Sequence, residues 1–121
     1  MPSGQTEQRQ ARYRRGHKSE WLAAGWLMLK GYRVLARRFR GPAGEVDLIV
    51  CRRRRLAFVE VKHRPSWQAC EASITNRQRQ RIRRAADNWL AKNRAYQNHD
   101  ITFDAVFLVP AKWPRHLPDV L

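Results

Sequence analysis

Two short runs stand out in the distribution of hydrophobic and polar positions, Gly44-Glu45-Val46-Asp47-Leu48-Ile49-Val50 and Leu56-Ala57-Phe58-Val59-Glu60-Val61-Lys62. Each is apolar, β-branched or aromatic except where a charge interrupts it, which predicts a strand buried on at least one face. Arg52 to Arg55 would connect a strand over Glu45–Cys51 to one over Leu56–His63 as an antiparallel hairpin. Upstream, the spacing predicts a helix from about Arg14 to Lys30, ended by a cap at Gly31. A strand follows from Tyr32 to Phe39, with Tyr32, Val34 and Ala36 alternating against Arg33, Leu35 and Arg37. Gly41-Pro42-Ala43-Gly44 is a turn.

Downstream, Ser66 to Ile74 reads as a loop containing Trp67. Thr75 and Gln78 have capping-box spacing, and Ile82, Ala85, Ala86, Trp89 and Leu90 recur on one face of the helix they open. A last strand is predicted over Ile101–Val109, followed by an irregular tail from Ala111 to Leu121. The order is α-β-β-β-α-β, an α/β fold whose mixed β-sheet is flanked by helices. Residues 1–13 lack periodicity and read as a flexible basic arm.

Charge changes the picture most. The net charge is +15, with ten Lys/Arg against Glu7 and Glu20 in residues 1–40, and seven against Glu71 and Asp87 in residues 67–98. A polyanion is the simplest partner, because phosphate contacts release counterions. No apolar run approaches the ~20 residues of a membrane-spanning helix, and no secretory h-region is apparent. Cys51 and Cys70 have no metal-ligand spacing and suit reduced thiols in a cytoplasmic protein.

Against that background, Asp47, Glu60 and Lys62 sit where an uncompensated charge costs several kcal/mol. On strands, Glu60 and Lys62 share a face with Leu56 and Phe58, while Glu45, Asp47 and Ile49 share one on the neighbour. A paired register brings Asp47 beside Glu60. Two such carboxylates repel unless a cation lies between them, and a few oxygen ligands suit Mg²⁺ or Mn²⁺, with the Val61 carbonyl as a further donor. The alternative is a buried ion pair of Lys62 with Asp47 or Glu60. Glu20 emerges from the Ala23-Ala24-Leu27 stripe and either points into the site or snorkels to solvent.

These residues have a family likeness. Asp47 with Glu60-Val61-Lys62 looks like the PD-(D/E)xK nuclease signature. The chain resembles more closely the YraN family of bacterial endonuclease-like proteins, related in fold to archaeal Holliday-junction resolvases. The matching stretches are Glu20–Ala24, Gly31–Leu35, Gly44–Ile49, Phe58–Arg64, Arg81–Ala86 and Phe103–Val106. The resemblance implies a restriction-endonuclease-like core over residues 14–110, with Asp47 and Glu60 as metal ligands, Lys62 as the catalytic lysine and Glu20 as a further ligand. It departs from the family at Ser19, where glycine is usual, and at Arg52–Arg55, where Asp-Gly is usual.

The implied activity is metal-dependent hydrolysis of nucleic acid, DNA before RNA, branched DNA included, and a two-fold branched substrate would favour a homodimer. Phosphate contacts are expected from Arg37, Arg38, Arg40, Arg64, Arg77, Arg81 and Arg84. Gln78 either supports Lys62 or a phosphate, or only caps its helix. His17 and His63 read as surface or strand-face residues, and Asp104 as the partner of an arginine on the sheet. Trp26 and Trp89 read as core, and Trp67 either stacks on a base or covers the sheet. A nucleic-acid-binding protein that keeps the nuclease fold without cutting is the competing reading.

Overall fold

A computed structural model describes residues 18–121; the expected basic arm, the start of the first helix and His17 lie outside them. Helix α1 covers residues 18–29. It ends in a Schellman motif at Gly31, whose φ is +93°. The Gly31 N–H donates to the Met28 carbonyl and the Tyr32 N–H to that of Leu27, both at 3.0 Å.

Three antiparallel strands follow, β1 (Arg33–Arg40), β2 (Glu45–Arg52) and β3 (Arg55–His63). Beyond them lie α2 (Trp67–Ala72), α3 (Asn76–Lys92), a 3₁₀ turn at Arg94–Tyr96, β4 (Asp100–Leu108) and β5 (Arg115–Leu117). The five strands form one mixed sheet in the order β1-β2-β3-β4-β5, with β4 parallel to β3 and the other pairings antiparallel. The fold is mixed α/β, with helices on both faces.

Two elements correct the sequence reading. Ser66 to Ile74 is not a loop: the Ser66 hydroxyl accepts from the Ala69 N–H at 3.1 Å and starts α2, which buries Cys70 against the sheet. The tail is not wholly irregular either, because β5 pairs with Ala105–Phe107. The element order among the described residues is therefore α-β-β-β-α-α-β-β.

Two layers of core fix the helices. On one face, Ala23, Ala24 and Leu27 of α1 pack on Leu48, Val50, Ala57, Val59 and Val106. On the other, Ile82, Ala85, Ala86 and Trp89 of α3 pack on Val46, Ile49, Leu56 and Phe58. Trp89 is core as expected, but Trp26 is only half-buried and stacks on exposed Trp113 at 5.9 Å. Burying these apolar side chains drives assembly at about 25 cal/mol per Å².

The alternation expected in β1 fails. A register shift between Val34 and Ala36 puts Val34 on the α1 face and both Leu35 and Ala36 on the α3 face. Gly44 lets β2 approach α3: a Cβ there would lie 2.0 Å from the Arg81 carbonyl oxygen and 2.9 Å from the Ala85 nitrogen. No described helix is long and apolar enough to cross a membrane.

Candidate carboxylate–lysine site

The sheet is interrupted at one residue on both sides. The β1–β2 ladder passes from Arg37↔Leu48 to Phe39↔Val46, skipping the row where Arg38 would face Asp47. The β2–β3 ladder ends at Leu48↔Val59, one step before Asp47 would face Glu60. Arg38, Asp47 and Glu60 thus occupy one row of the sheet in which the β1–β2 and β2–β3 ladders are interrupted, while Glu60 keeps its pairing with Ala105 of β4. Arg38 has φ +52°, a left-handed conformation unfavourable to a side chain with a Cβ. The register is the same on either side of this row, so the interruption is local.

Side chains replace the missing ladder. Asp47 Oδ2 accepts the Val61 N–H at 2.8 Å, holding the half-buried carboxylate in the split between β2 and β3. Lys62, only 5% exposed, places Nζ 3.1 Å from Glu60 Oε1. From α1, buried Glu20 takes Arg38 Nε on Oε1 at 2.9 Å. Its other oxygen, Oε2, is buried without a hydrogen-bond partner among the described residues. Ser19 Oγ bonds His63 Nδ1 at 3.1 Å, pinning this end of α1 to the end of β3. The residue that departs from the family pattern therefore locates Glu20.

The electrostatics describe an under-compensated anionic cluster. Glu60 is pushed up to about 7, first by burial and then by the Asp47 charge, against the lowering effect of Lys62. Burial also raises Asp47, opposed by the Val61 hydrogen bond and by Lys62. Glu20 is raised by burial and by Asp47 against the pull of Arg38. Glu45 raises both Asp47 and Glu60. It belongs to the cluster although it was not among the candidate residues, and its shared strand face with Asp47 was the signal that could have found it.

No three His, Cys, Asp or Glu side chains converge as a metal cage among the described residues. The donors nevertheless fit a hard divalent cation. Asp47 and Glu60 are half-buried carboxylates, the charge of Asp47 disfavouring ionised Glu60, and Glu20 carries a buried oxygen without a partner among the described residues. A cation between Asp47 and Glu60 would relieve their repulsion.

The arginines divide. Arg40, Arg77, Arg81 and Arg84 line a cavity of about 470 Å³ between the Gly41–Glu45 turn and the basic face of α3. Glu45 bridges two of them, 3.8 Å from Arg40 Nε and 3.4 Å from Arg81 Nη2, and so joins the cavity to the carboxylates. Arg37 instead lies 3.7 Å over the ring of exposed Trp21. Arg38 turns to Glu20, and exposed Arg64 bonds the His63 carbonyl at 2.9 Å.

Gln78 closes the capping box with Thr75, both bonds at 3.2 Å, and its side chain is committed there. Trp67 covers the sheet beside Cys70 with Arg115 stacked 4.1 Å over it. Fully buried Asp104 does meet an arginine, Arg55 at 3.7 Å. Its closer partners are His116 at 2.7 Å and the Asp119 N–H at 2.9 Å.

Residues 19–108 match the family described as "Uncharacterised protein family UPF0102". The chain belongs to the UPF0102 family. A UPF0102 protein of Methylorubrum extorquens is 48% identical over 118 residues, covering 98% of this chain and 92% of that protein. UPF0102 proteins of Mesorhizobium japonicum and Parvibaculum lavamentivorans are each 49% identical over 109 residues, covering 90% of this chain and 87% and 82% of theirs. The matched UPF0102 span contains Glu20, Asp47, Glu60, Lys62 and the arginines of the cavity.

Proposed function

We propose that this UPF0102 protein is a metal-dependent nuclease with a restriction-endonuclease-like core, hydrolysing phosphodiester bonds of nucleic acid, DNA foremost. The observation that carries the proposal is the broken row at Asp47. Two interrupted ladders, one of them with strained backbone at Arg38, leave a half-buried carboxylate against Glu60-Val61-Lys62, where it raises the proton affinity of Glu60. A purely structural ion pair would not need three further carboxylates around it. Asp47 and Glu60, assisted by Glu20 and the Val61 carbonyl, would hold Mg²⁺ or Mn²⁺.

When bound, that ion supplies Lewis-acid polarisation of a phosphate and a water of lowered pKa. The chain does the rest. Lys62 Nζ, tethered to Glu60, presents a desolvated positive charge to the phosphate oxygens as negative charge develops. Arg40, Arg77, Arg81 and Arg84 neutralise neighbouring phosphates and orient the strand without reading bases. Branched DNA, a homodimer and a cytoplasmic setting belong to the same proposal.

The test is incubation of the protein with duplex and four-way-junction DNA in Mn²⁺ or Mg²⁺. Asp47→Asn and Lys62→Met should each lower the cleavage rate about 10²-fold or more. Cleavage that persists in both variants, or a wild type whose thermal midpoint ignores Mn²⁺, would overturn the proposal.

A second reading rests on the direct Lys62–Glu60 contact, which already partners the lysine. It makes the protein a nucleic-acid binder that does not cut. Duplex binding without any metal response would select it.

A further inference from the structure

At the opposite end of the β2–β3 hairpin lies a second basic cavity, of about 410 Å³, lined by Tyr32, Arg52, Arg53, Arg54, Arg55 and Asp100. The turn that makes it is unusual in a specific way. Arg53 has φ +55°, a conformation that glycine and asparagine adopt more readily. The turn is also anchored. The Asp100 N–H donates to the Arg54 carbonyl, Arg54 Nη2 donates to the Asn98 carbonyl at 3.2 Å, and Arg55 Nε reaches Thr102 Oγ1 at 3.4 Å. Arg55 is further held by buried Asp104. Two arginines of the turn are therefore tied down, whereas exposed Arg52 and Arg53 meet no carboxylate among the described residues. Arg52 lies over Gly31, where an added Cβ would stand 3.4 Å from its Nε.

This cavity is not isolated from the first. β1 is an edge strand whose register runs from Arg33↔Cys51, beside the turn, to Arg40↔Glu45, beside the α3 cavity. Exposed Arg33, Arg37 and Arg40 mark that edge. Arg52 at the turn and Glu45 in the α3 cavity are seven residues apart on β2, or ~23 Å. That span corresponds to the axial rise of about seven phosphates along one strand of a duplex.

We infer that the arginine turn Arg52–Arg55 is a second phosphate-binding site, which takes the backbone of a duplex whose other contact is the α3 cavity. The inference rests on the nucleic-acid reading above but not on cleavage. A pre-anchored turn with unpaired guanidiniums binds phosphate at little ordering cost, and strain retained at Arg53 suits a site selected for charge over turn stability.

The test compares wild type with Arg52→Gln/Arg53→Asn and with Arg52→Lys/Arg53→Lys on a labelled 24-base-pair duplex across a salt series, with no metal present. The Gln/Asn variant should lower the salt slope by about 0.9 for each lost phosphate contact, and weaken binding roughly 30-fold at 0.15 M salt. The Lys variant should keep the slope. The thermal midpoint of the Gln/Asn variant should equal or exceed that of wild type, because asparagine relaxes the turn. A parallel titration with inorganic tripolyphosphate should show no saturable thermal shift that depends on Arg52 and Arg53.

Unchanged affinity and slope in the Gln/Asn variant would overturn the inference and leave the proposed function standing. Loss of binding in the Lys variant would overturn it as well, as would a saturable tripolyphosphate site. Failure of wild type to bind the duplex would remove both this inference and the nucleic-acid reading on which it rests.

Discussion

The sheet buries carboxylates at two places and treats them oppositely. Asp104 on β4 is fully buried, yet it is surrounded by donors: His116, the Asp119 N–H and Arg55. Burial pushes its carboxyl up, but the hydrogen bonds outweigh burial and leave it below its ordinary range. Asp47 and Glu60 are less completely buried and are nonetheless raised, first by burial and then by neighbouring carboxylates, because their donors do not outweigh the two together. The first cluster is complete as it stands. The second is electrostatically short of positive charge, and that uncompensated burial marks it as the candidate site.

The sharpest way to break the comparison is to remove each acid. Asp104→Ala leaves His116 and Arg55 facing a vacated buried position, and should cost about 3–5 kcal/mol by denaturant unfolding. Its response to Mn²⁺ should survive wherever the fold does. Glu60→Gln should behave in the reverse way. Since ionised Glu60 is disfavoured even with Lys62 beside it, the amide should be neutral or stabilising by about 1–2 kcal/mol at pH 8, while abolishing any metal-induced rise in the thermal midpoint. Strong destabilisation by Glu60→Gln would make the two clusters alike and the lysine pair structural.

The pH dependence separates them next. Glu60 has its folded value raised to about 7 from an ordinary 4.5. Folded protein therefore holds more protons than unfolded between those values, and stability falls as pH rises through the window, by on the order of 2–3 kcal/mol. Asp104 is lowered, so its contribution is present at neutral pH and is lost as pH falls below the ordinary aspartate value of 3.8. Saturating Mg²⁺ should flatten the near-neutral slope by competing with protons at Glu60, and should leave the acid limb unchanged. Unfolding midpoints from pH 3 to 8, with and without the ion, read both windows.

The sequence revealed the two clusters unequally. Asp47, Glu60 and Lys62 were legible because they interrupt strongly apolar strands, and a hairpin register suffices to align them. The face of α3 was equally clear from period and capping, and all of Ile82, Ala85, Ala86 and Trp89 are buried. Three features were not local. The β1 alternation fails because one bulge, which has no composition signal here, brings Leu35 and Ala36 onto one face. The six residues of α2 and the three of β5 are too few for periodicity to register. β5 depends on pairing with β4, and it is β5 that brings His116 to Asp104. An acid whose closest side-chain partner lies twelve residues away in an apparently irregular tail reads only as the partner of an arginine until the chain folds.

The smallest predicted effect tests where the reactive cluster ends. Gln78 stands near the cavity arginines in sequence, yet its side chain accepts the Thr75 N–H at 3.2 Å while the Thr75 hydroxyl accepts its own N–H. A reciprocal cap of this kind contributes about 1.5 kcal/mol in total, most of it through the threonine oxygen. Gln78→Ala should therefore lower stability by about 0.5 kcal/mol, and Thr75→Ala by about 1 kcal/mol. Neither should alter the metal response or duplex affinity. If Gln78→Ala instead abolished the Mn²⁺ shift with the helix intact by circular dichroism, the deficit of positive charge would extend to the start of α3, and the cap would be part of the site. The committed geometry of the cap argues for the first outcome, because a side chain already holding a backbone N–H loses that bond if it turns to serve Lys62.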